Sequence, residues 1–181
     1  MKLTKKVCLV VGLFLAANTF VKAQYTAQDT EAAKKNQAVI QKNNSMGLAN
    51  ANRKLAAEFL NALLNARDIP YVATKVTPDI SFRTSFGAVL TGVDGGLSKL
   101  PGALDKIFEG FNVEFDDMIV EGNKVFIKVI FRGNHTSAYL APVATGKPFK
   151  VDGFIRLIMT DGKVSQGFVV ADFAQIPNQI K

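Results

Sequence analysis

Two residues carry most of the chemistry available to this chain: Asp172 and His135, the latter its one histidine. Val164 to Asp172 alternates at strand length, so Val164, Gln166, Phe168, Val170 and Asp172 share one face, and Ser165, Gly167, Val169 and Ala171 the other. The first set is bulkier and is expected to face a concave interior. It ends in a carboxylate. Desolvation at the end of an apolar stripe raises a carboxylate's pKa and suits it to accept or deliver a proton near neutral pH. The other reading of Asp172 is a strand-end cap for a turn at Phe173-Ala174-Gln175. His135 follows a strand, Lys124 to Arg132, on the parity of Val129, Phe131 and Gly133. Its ring either hydrogen-bonds a carbonyl substrate or orients Asp172, or else is satisfied by backbone groups as a structural imidazole. Asp152 and Arg156 share a strand face and either pair with each other outside or reach the interior. Arg83 offers a cation to an acidic ligand group, and Tyr71 and Tyr139 offer hydroxyls at a pocket mouth. The expected ligand contacts are Phe168, Tyr139, Arg156 and Phe82.

These side chains need elements to hold them. Leu55, Phe59, Ala62, Leu63 and Ala66 recur at helical spacing and predict an amphipathic helix from about Asn50 to Arg67. A short second helix is expected over Ile69 to Lys75, then a strand at Ile80 to Arg83. A glycine-rich loop follows, and a third helical segment from Leu97 to Phe108, made irregular by Pro101 and Gly102. From Phe111 the period changes from 3.6 to 2. Asn112 to Val120, Lys124 to Gly133, Phe149 to Thr160 and Val164 to Asp172 read as strands, with turn chemistry at Glu121-Gly122-Asn123 and Asp161-Gly162. The expected order is α, α, β, α, β, β, β, β in one α+β domain. The helices must cover one face of the sheet, because its apolar side needs a layer against it.

The N-terminal 23 residues read as an address. Lys2, Lys5 and Lys6 precede an apolar run from Val7 to Ala17, and Val21-Lys22-Ala23 supplies small residues before a cut at Ala23/Gln24, the pattern of a secretory signal peptide. An 11-residue run is too short to span a ~30 Å hydrocarbon core. Cleavage takes four lysines and no acids, so the formal charge falls from +7 to +3 on a chain of 158 residues. The sole cysteine, Cys8, leaves too. The expected product is an exported chain, periplasmic or secreted, with no stable membrane anchor. Neither a disulfide framework nor a cysteine/histidine metal site can be built from it. Basic residues are scattered and not interleaved with aromatics, so no nucleic-acid partner is expected. Residues 24–49 form a polar leader or a loosely docked helix.

Several phrases, in order, resemble the SnoaL-like polyketide cyclases of the nuclear-transport-factor-2-like superfamily. Phe59 to Asp68 is similar to the family's first helix ending in an Asn-x-x-Asp turn, and Thr77-Pro78-Asp79-Ile80-Ser81-Phe82 to its entry into the first strand. Gly133-Asn134-His135-Thr136-Ser137 through Thr145-Gly146-Lys147-Pro148 resembles its Gly-x-His-Thr-Gly…Thr-Gly-Lys loop. Asp161-Gly162-Lys163-Val164 with Phe168 and Asp172 resembles its closing hairpin. The match covers roughly residues 50–181. The resemblance implies a cone-shaped α+β roll: a curved, mostly antiparallel sheet packed on N-terminal helices, with a cavity at one end and commonly a homodimer. It also implies that Asp172 moves the proton in an intramolecular aldol closure, with no cofactor. Gln166-Gly167-Phe168 lacks the acidic residue and Trp that often precede the final Asp, which argues against a two-carboxylate mechanism. Two functions follow. One is a cofactor-free cyclase or isomerase acting on a small hydrophobic carbonyl compound. The other is a non-catalytic ligand-binding or dimerisation module on the same scaffold.

Overall fold

In the computed structural model, residues 45–138 and 143–181 are described. The signal-like segment 1–23, the leader up to residue 44 and Tyr139 lie outside the described residues. Residues 47–181 form one compact unit.

Helix α1 occupies residues 45–60, beginning before Asn50, and passes without a break into a π-helical segment, Asn61–Ala66. The widened turn shifts the buried stripe. Phe59, Leu60, Ala62, Leu63 and Leu64 are all buried, while Ala66, expected on the apolar face, is exposed. The segment stops at Arg67, in the left-handed region at φ 57°. Asp68 then caps α2 (Ile69–Lys75), its side chain accepting from the Tyr71 N–H. Strand β1 (Val76–Arg83) starts earlier than expected. Next come a short β2 (Val89–Thr91), not anticipated, a 3₁₀ turn (Leu97–Lys99) and α3 (Leu100–Asp105). The long strands are β3 (Phe108–Glu121), β4 (Lys124–His135), β5 (Pro148–Thr160) and β6 (Lys163–Ala171); a 3₁₀ turn (Phe173–Gln175) and a short α4 (Ile176–Gln179) end the chain. His135 is thus the last residue of β4, not a residue beyond it.

The sheet order is β2-β1-β6-β5-β4-β3, with β1 parallel to β6 and every other pair antiparallel. This is the expected α+β roll with a mostly antiparallel sheet. At β5–β6 the turn is Asp161-Gly162, both with positive φ, as a type I′ hairpin requires. Burial alternates cleanly along β4 and β5: Val125, Ile127, Val129 and Phe131 face the core, as do Val151, Ile155, Leu157 and Met159. Among the described residues strand β3 pairs only with β4, and along its other edge the helices bond to it through side chains. Asn65 pairs with Val113 as a strand would, accepting its N–H at 2.8 Å and donating to its C=O at 3.0 Å. Arg67 donates to the Phe111 carbonyl at 2.7 Å and pairs with Asp105 of α3 at 2.8 Å. Buried Asn52 donates to the Gly122 carbonyl at 3.0 Å.

Strand β6 departs from plain alternation. Ile158 faces Gln166 while the next residue, Met159, faces Val164, so Ser165 is an extra residue, a β-bulge. Its hydroxyl bonds to the Ile158 carbonyl and the Thr160 hydroxyl. One added residue reverses the parity beyond it. Val164 points inward, but so do Gly167 and Val169, whereas Gln166 and Val170 are exposed. The expected face is therefore corrected: Phe168 and Asp172 do not look into the core.

Gly167 has a second reason to be glycine. The ring of Phe82, its neighbour in β1, lies over it, so a Cβ there would stand 2.1 Å from Phe82 Cδ2. Gly167→Ala should lower stability by about 1–3 kcal/mol in urea unfolding. Combined with Phe82→Leu, the loss should be smaller than the sum of the two single losses. Strict additivity would show that the ring is not what excludes the methyl group.

Candidate functional site

The inner face of the sheet is filled by phenylalanine. Phe173, just past β6, is the hub: its ring centroid lies 5.0 Å from Phe86, 5.3 Å from Phe131 and 6.1 Å from Phe108. Phe111 stacks on Phe131 and on Phe108, and Phe149 tilts against Phe108 at 4.7 Å. Such pairs contribute about 0.5–1.5 kcal/mol each beyond their area burial. The stack leaves a cavity of about 40 Å³ between the sheet and α3, lined by Phe82, Phe111, Phe131, Val169 and Phe173 on one side and Leu64, Leu100 and Leu104 on the other. Phe86, from the β1–β2 connection, is 42% exposed and sits at its mouth with Thr84 and Ser85.

These walls define what the cavity can do. Among the described residues, Thr84 and Ser85 are its only polar lining side chains, and the Thr84 hydroxyl already bonds to the Ala88 carbonyl at 3.3 Å. None of the lining residues titrates as an acid or base in the physiological range. The clearly displaced titrations belong to surface ion pairs. A hydrogen bond from Lys75 holds Glu58 below the usual carboxylate range, and the same bond raises Lys75. Asp116 and Lys128 are shifted in the same two senses by their mutual hydrogen bond. Displaced titrations often mark active sites, but these lie outside the cavity. Among the described residues there is no cluster of three or more side chains suited to hold a metal ion.

The residues singled out from sequence are dispersed. Asp172 is exposed, and its carboxylate accepts from the Ala174 N–H at 3.1 Å, capping the Phe173–Gln175 turn. This is the capping reading of that residue, and the Ser165 bulge is what turned it out of the core. His135 is fully buried. The Thr145 N–H donates to its Nδ1 at 3.3 Å, so in the neutral ring the proton resides on Nε2. Its backbone accepts from Thr145 and Gly146 and donates to the Lys147 carbonyl. The Thr145 hydroxyl also lies 3.3 Å from Nδ1. His135 therefore ties Thr145, Gly146 and Lys147 to the end of β4. Phe82 is buried on the inner face, whereas Phe168 and Arg156 meet on the outer one, the guanidinium 5.8 Å from the ring centroid. Asp152 is exposed and forms no ion pair with Arg156, which it was expected either to join outside or to accompany inward. Sequence reading missed Phe173, Phe86 and Val169. The available signal was Gly167, since an isolated glycine within a strand marks a bulge or a close backbone approach.

This architecture recurs in solved structures. A protein from Jannaschia sp. assigned as a SnoaL-like polyketide cyclase superposes with a TM-score of 0.64 at 16% identity, over 74% of this chain and 93% of that one. A protein of ketosteroid isomerase-like fold from Catenulispora acidiphila, in complex with trimethylamine, gives 0.59 at 16% identity, over 70% and 91%. TsrD from Streptomyces laurentii gives 0.59 at 24% identity, over 72% and 94%. At these identities the likeness is one of fold. None of the curated proteins matches the sequence. The model of the SnoaL-like polyketide cyclases matches residues 54–180, from the middle of α1 to the end of the sheet and its closing turn. The chain belongs to the SnoaL-like polyketide cyclase family.

Proposed function

We propose that this domain is an exported binding module for a small, uncharged, ring-sized apolar molecule, and that it works without a cofactor or an acid–base group of its own. The observation that carries this reading is the composition of the cavity wall, which among the described residues is phenylalanine and aliphatic apart from the hydroxyls of Thr84 and Ser85. Export rests on the N-terminal lysines, apolar run and small-residue cut. Ring closure driven by Asp172 would need its carboxylate inside the cavity, and that group is engaged on the surface by the Ala174 N–H.

As it stands the cavity is too small for a ring, since an apolar cavity of roughly 150 Å³ is what accommodates benzene. Phe86 supplies the missing space. A guest that takes its place on Phe173 replaces one aromatic stack by another, so that contact is restored on binding.

Indole, titrated into the full chain and followed by NMR, is the probe. Saturable shifts are expected at Thr84, Val169 and Phe173. Phe86→Ala, which vacates the mouth beforehand, should tighten indole about three- to tenfold, the equivalent of one aromatic pair. Absence of saturable shifts in both proteins would sink the reading.

Asp172 gives a separate test. Asn also caps, so Asp172→Asn should leave stability and indole affinity near wild type, while Asp172→Ala should cost about 1 kcal/mol in thermal unfolding. Loss of indole binding in Asp172→Asn alone would return the carboxylate to the pocket.

A further inference from the structure

The outer face of the sheet carries a row that crosses all six strands. Register places Ile119, Phe126, Arg156, Phe168, Arg83 and Val89 opposite one another in turn, from β3 through β4, β5, β6 and β1 to β2. At its centre two arginines flank one aromatic. Arg83 and Arg156 come from the strands on either side of Phe168, and each guanidinium lies 5.8 Å from its ring centroid. Two strand spacings separate their backbones by about 9–10 Å. Two other cations of this face are paired, Lys128 with Asp116 at 2.6 Å and Arg132 with Glu114 at 2.7 Å, while Lys124 and Lys150 are also exposed on it. Among the described residues no carboxylate forms an ion pair with Arg83 or Arg156.

The two arginines open onto a shallow cleft of about 270 Å³, lined also by Ser81, Gln166, Gly167 and Phe168. Ser81 and Gln166 face each other two residues along from Arg83 and Phe168, so a hydroxyl and a carboxamide stand at the other end of the cleft. Its chemistry is graded: two forked cations, then the rim of a half-buried phenyl ring, then two neutral hydrogen-bonding groups. Guanidinium matches a carboxylate in plane and charge, and its stacking on Phe168 preorganises it. The ring beside it offers an apolar edge.

We propose that Arg83, Phe168 and Arg156 form a second binding site, on the outer face and separate from the phenylalanine cavity, for a flat aromatic carboxylate. The carboxylate bridges the two guanidinium groups on the solvent side of Phe168, and the aromatic body packs along the rim of that ring toward Ser81 and Gln166. The Ser165 bulge is what makes the site, because without it Phe168 would point into the core and Gly167 would separate the arginines.

The probe is 2-naphthoate, titrated into the full chain at low ionic strength and followed by the arginine Nε–H and Phe168 resonances. Saturation below millimolar concentration is expected, weakening with added salt. The neutral 2-naphthamide should bind at least tenfold more weakly. The double variant Arg83→Gln/Arg156→Gln, at two exposed positions, should lose at least tenfold in 2-naphthoate affinity and keep its indole affinity in the cavity. Failure of 2-naphthoate to bind, undiminished binding in the double variant, or shifts confined to Thr84, Val169 and Phe173 would each overturn the proposal. So would sedimentation showing that wild type is a dimer and the double variant a monomer, because the arginines would then serve a second copy of the chain. None of these outcomes bears on the indole test, so the two sites stand or fall separately.

Discussion

One extra residue in β6 governs which chemistry this domain presents to which side. The Ser165 bulge lets Val164 finish the hairpin packing and then turns the strand over, so that Gly167, Val169 and Phe173 enter the core and Phe168 and Asp172 leave it. The bulge is held by the Ser165 hydroxyl on the Ile158 carbonyl, and it sits beside an irregularity in β1, where the parallel pairing advances five residues in β1, from Val76 to Ser81, against two in β6. Both strands are thus re-aimed at one place. From there Gly167 admits the Phe82 ring, Phe173 reaches the centre of the aromatic stack, and Arg83, Phe168 and Arg156 come into line on the outside.

Inside the cone, stability and capacity compete for the same volume. Rings from β3, β4, β5 and the closing turn meet around Phe173, and each contact that strengthens the core removes space from the cavity. Phe86 is the exception. It is partly exposed, it lies on the β1–β2 connection, and it stacks on the same hub, so it is the ring of the lining placed where a guest would enter. Phe108 and Phe111, buried and braced by several neighbours, are not exchangeable in this way.

The fold was legible because its signals are long. Four strands of nine residues or more, the Asp161-Gly162 turn and the 3.6-residue stripe of α1 each repeat their message many times over. What escaped was short or cancelled itself. The three-residue β2 and the four-residue α4 are below the length at which periodicity speaks. The π-helical segment moved Ala66 off the apolar face by widening the turn before it. The bulge was the costlier omission, because parity carries no error correction: a single inserted residue turned Asp172 and Phe168 from inward to outward. His135 kept its inward parity and yet became a loop anchor, since the Thr145 and Lys147 groups that engage it lie ten or more residues away in the chain.

The phrases that tie this chain to its family prove to be fasteners. Asn65 bonds to the edge of β3 away from β4, and Asp68 caps α2. His135 joins Thr145, Gly146 and Lys147, just before β5, to the end of β4, and Asp172 caps the turn that carries Phe173 into the core. Each satisfies a buried or terminal backbone group that no regular element could satisfy, and an unsatisfied group of that kind is expensive in any sequence that takes this shape. Such phrases therefore mark the fold more faithfully than they mark chemistry. Whether a member is an enzyme turns instead on what lines the cavity between them, and here the described lining is aromatic and aliphatic, with no proton donor or acceptor stronger than a hydroxyl.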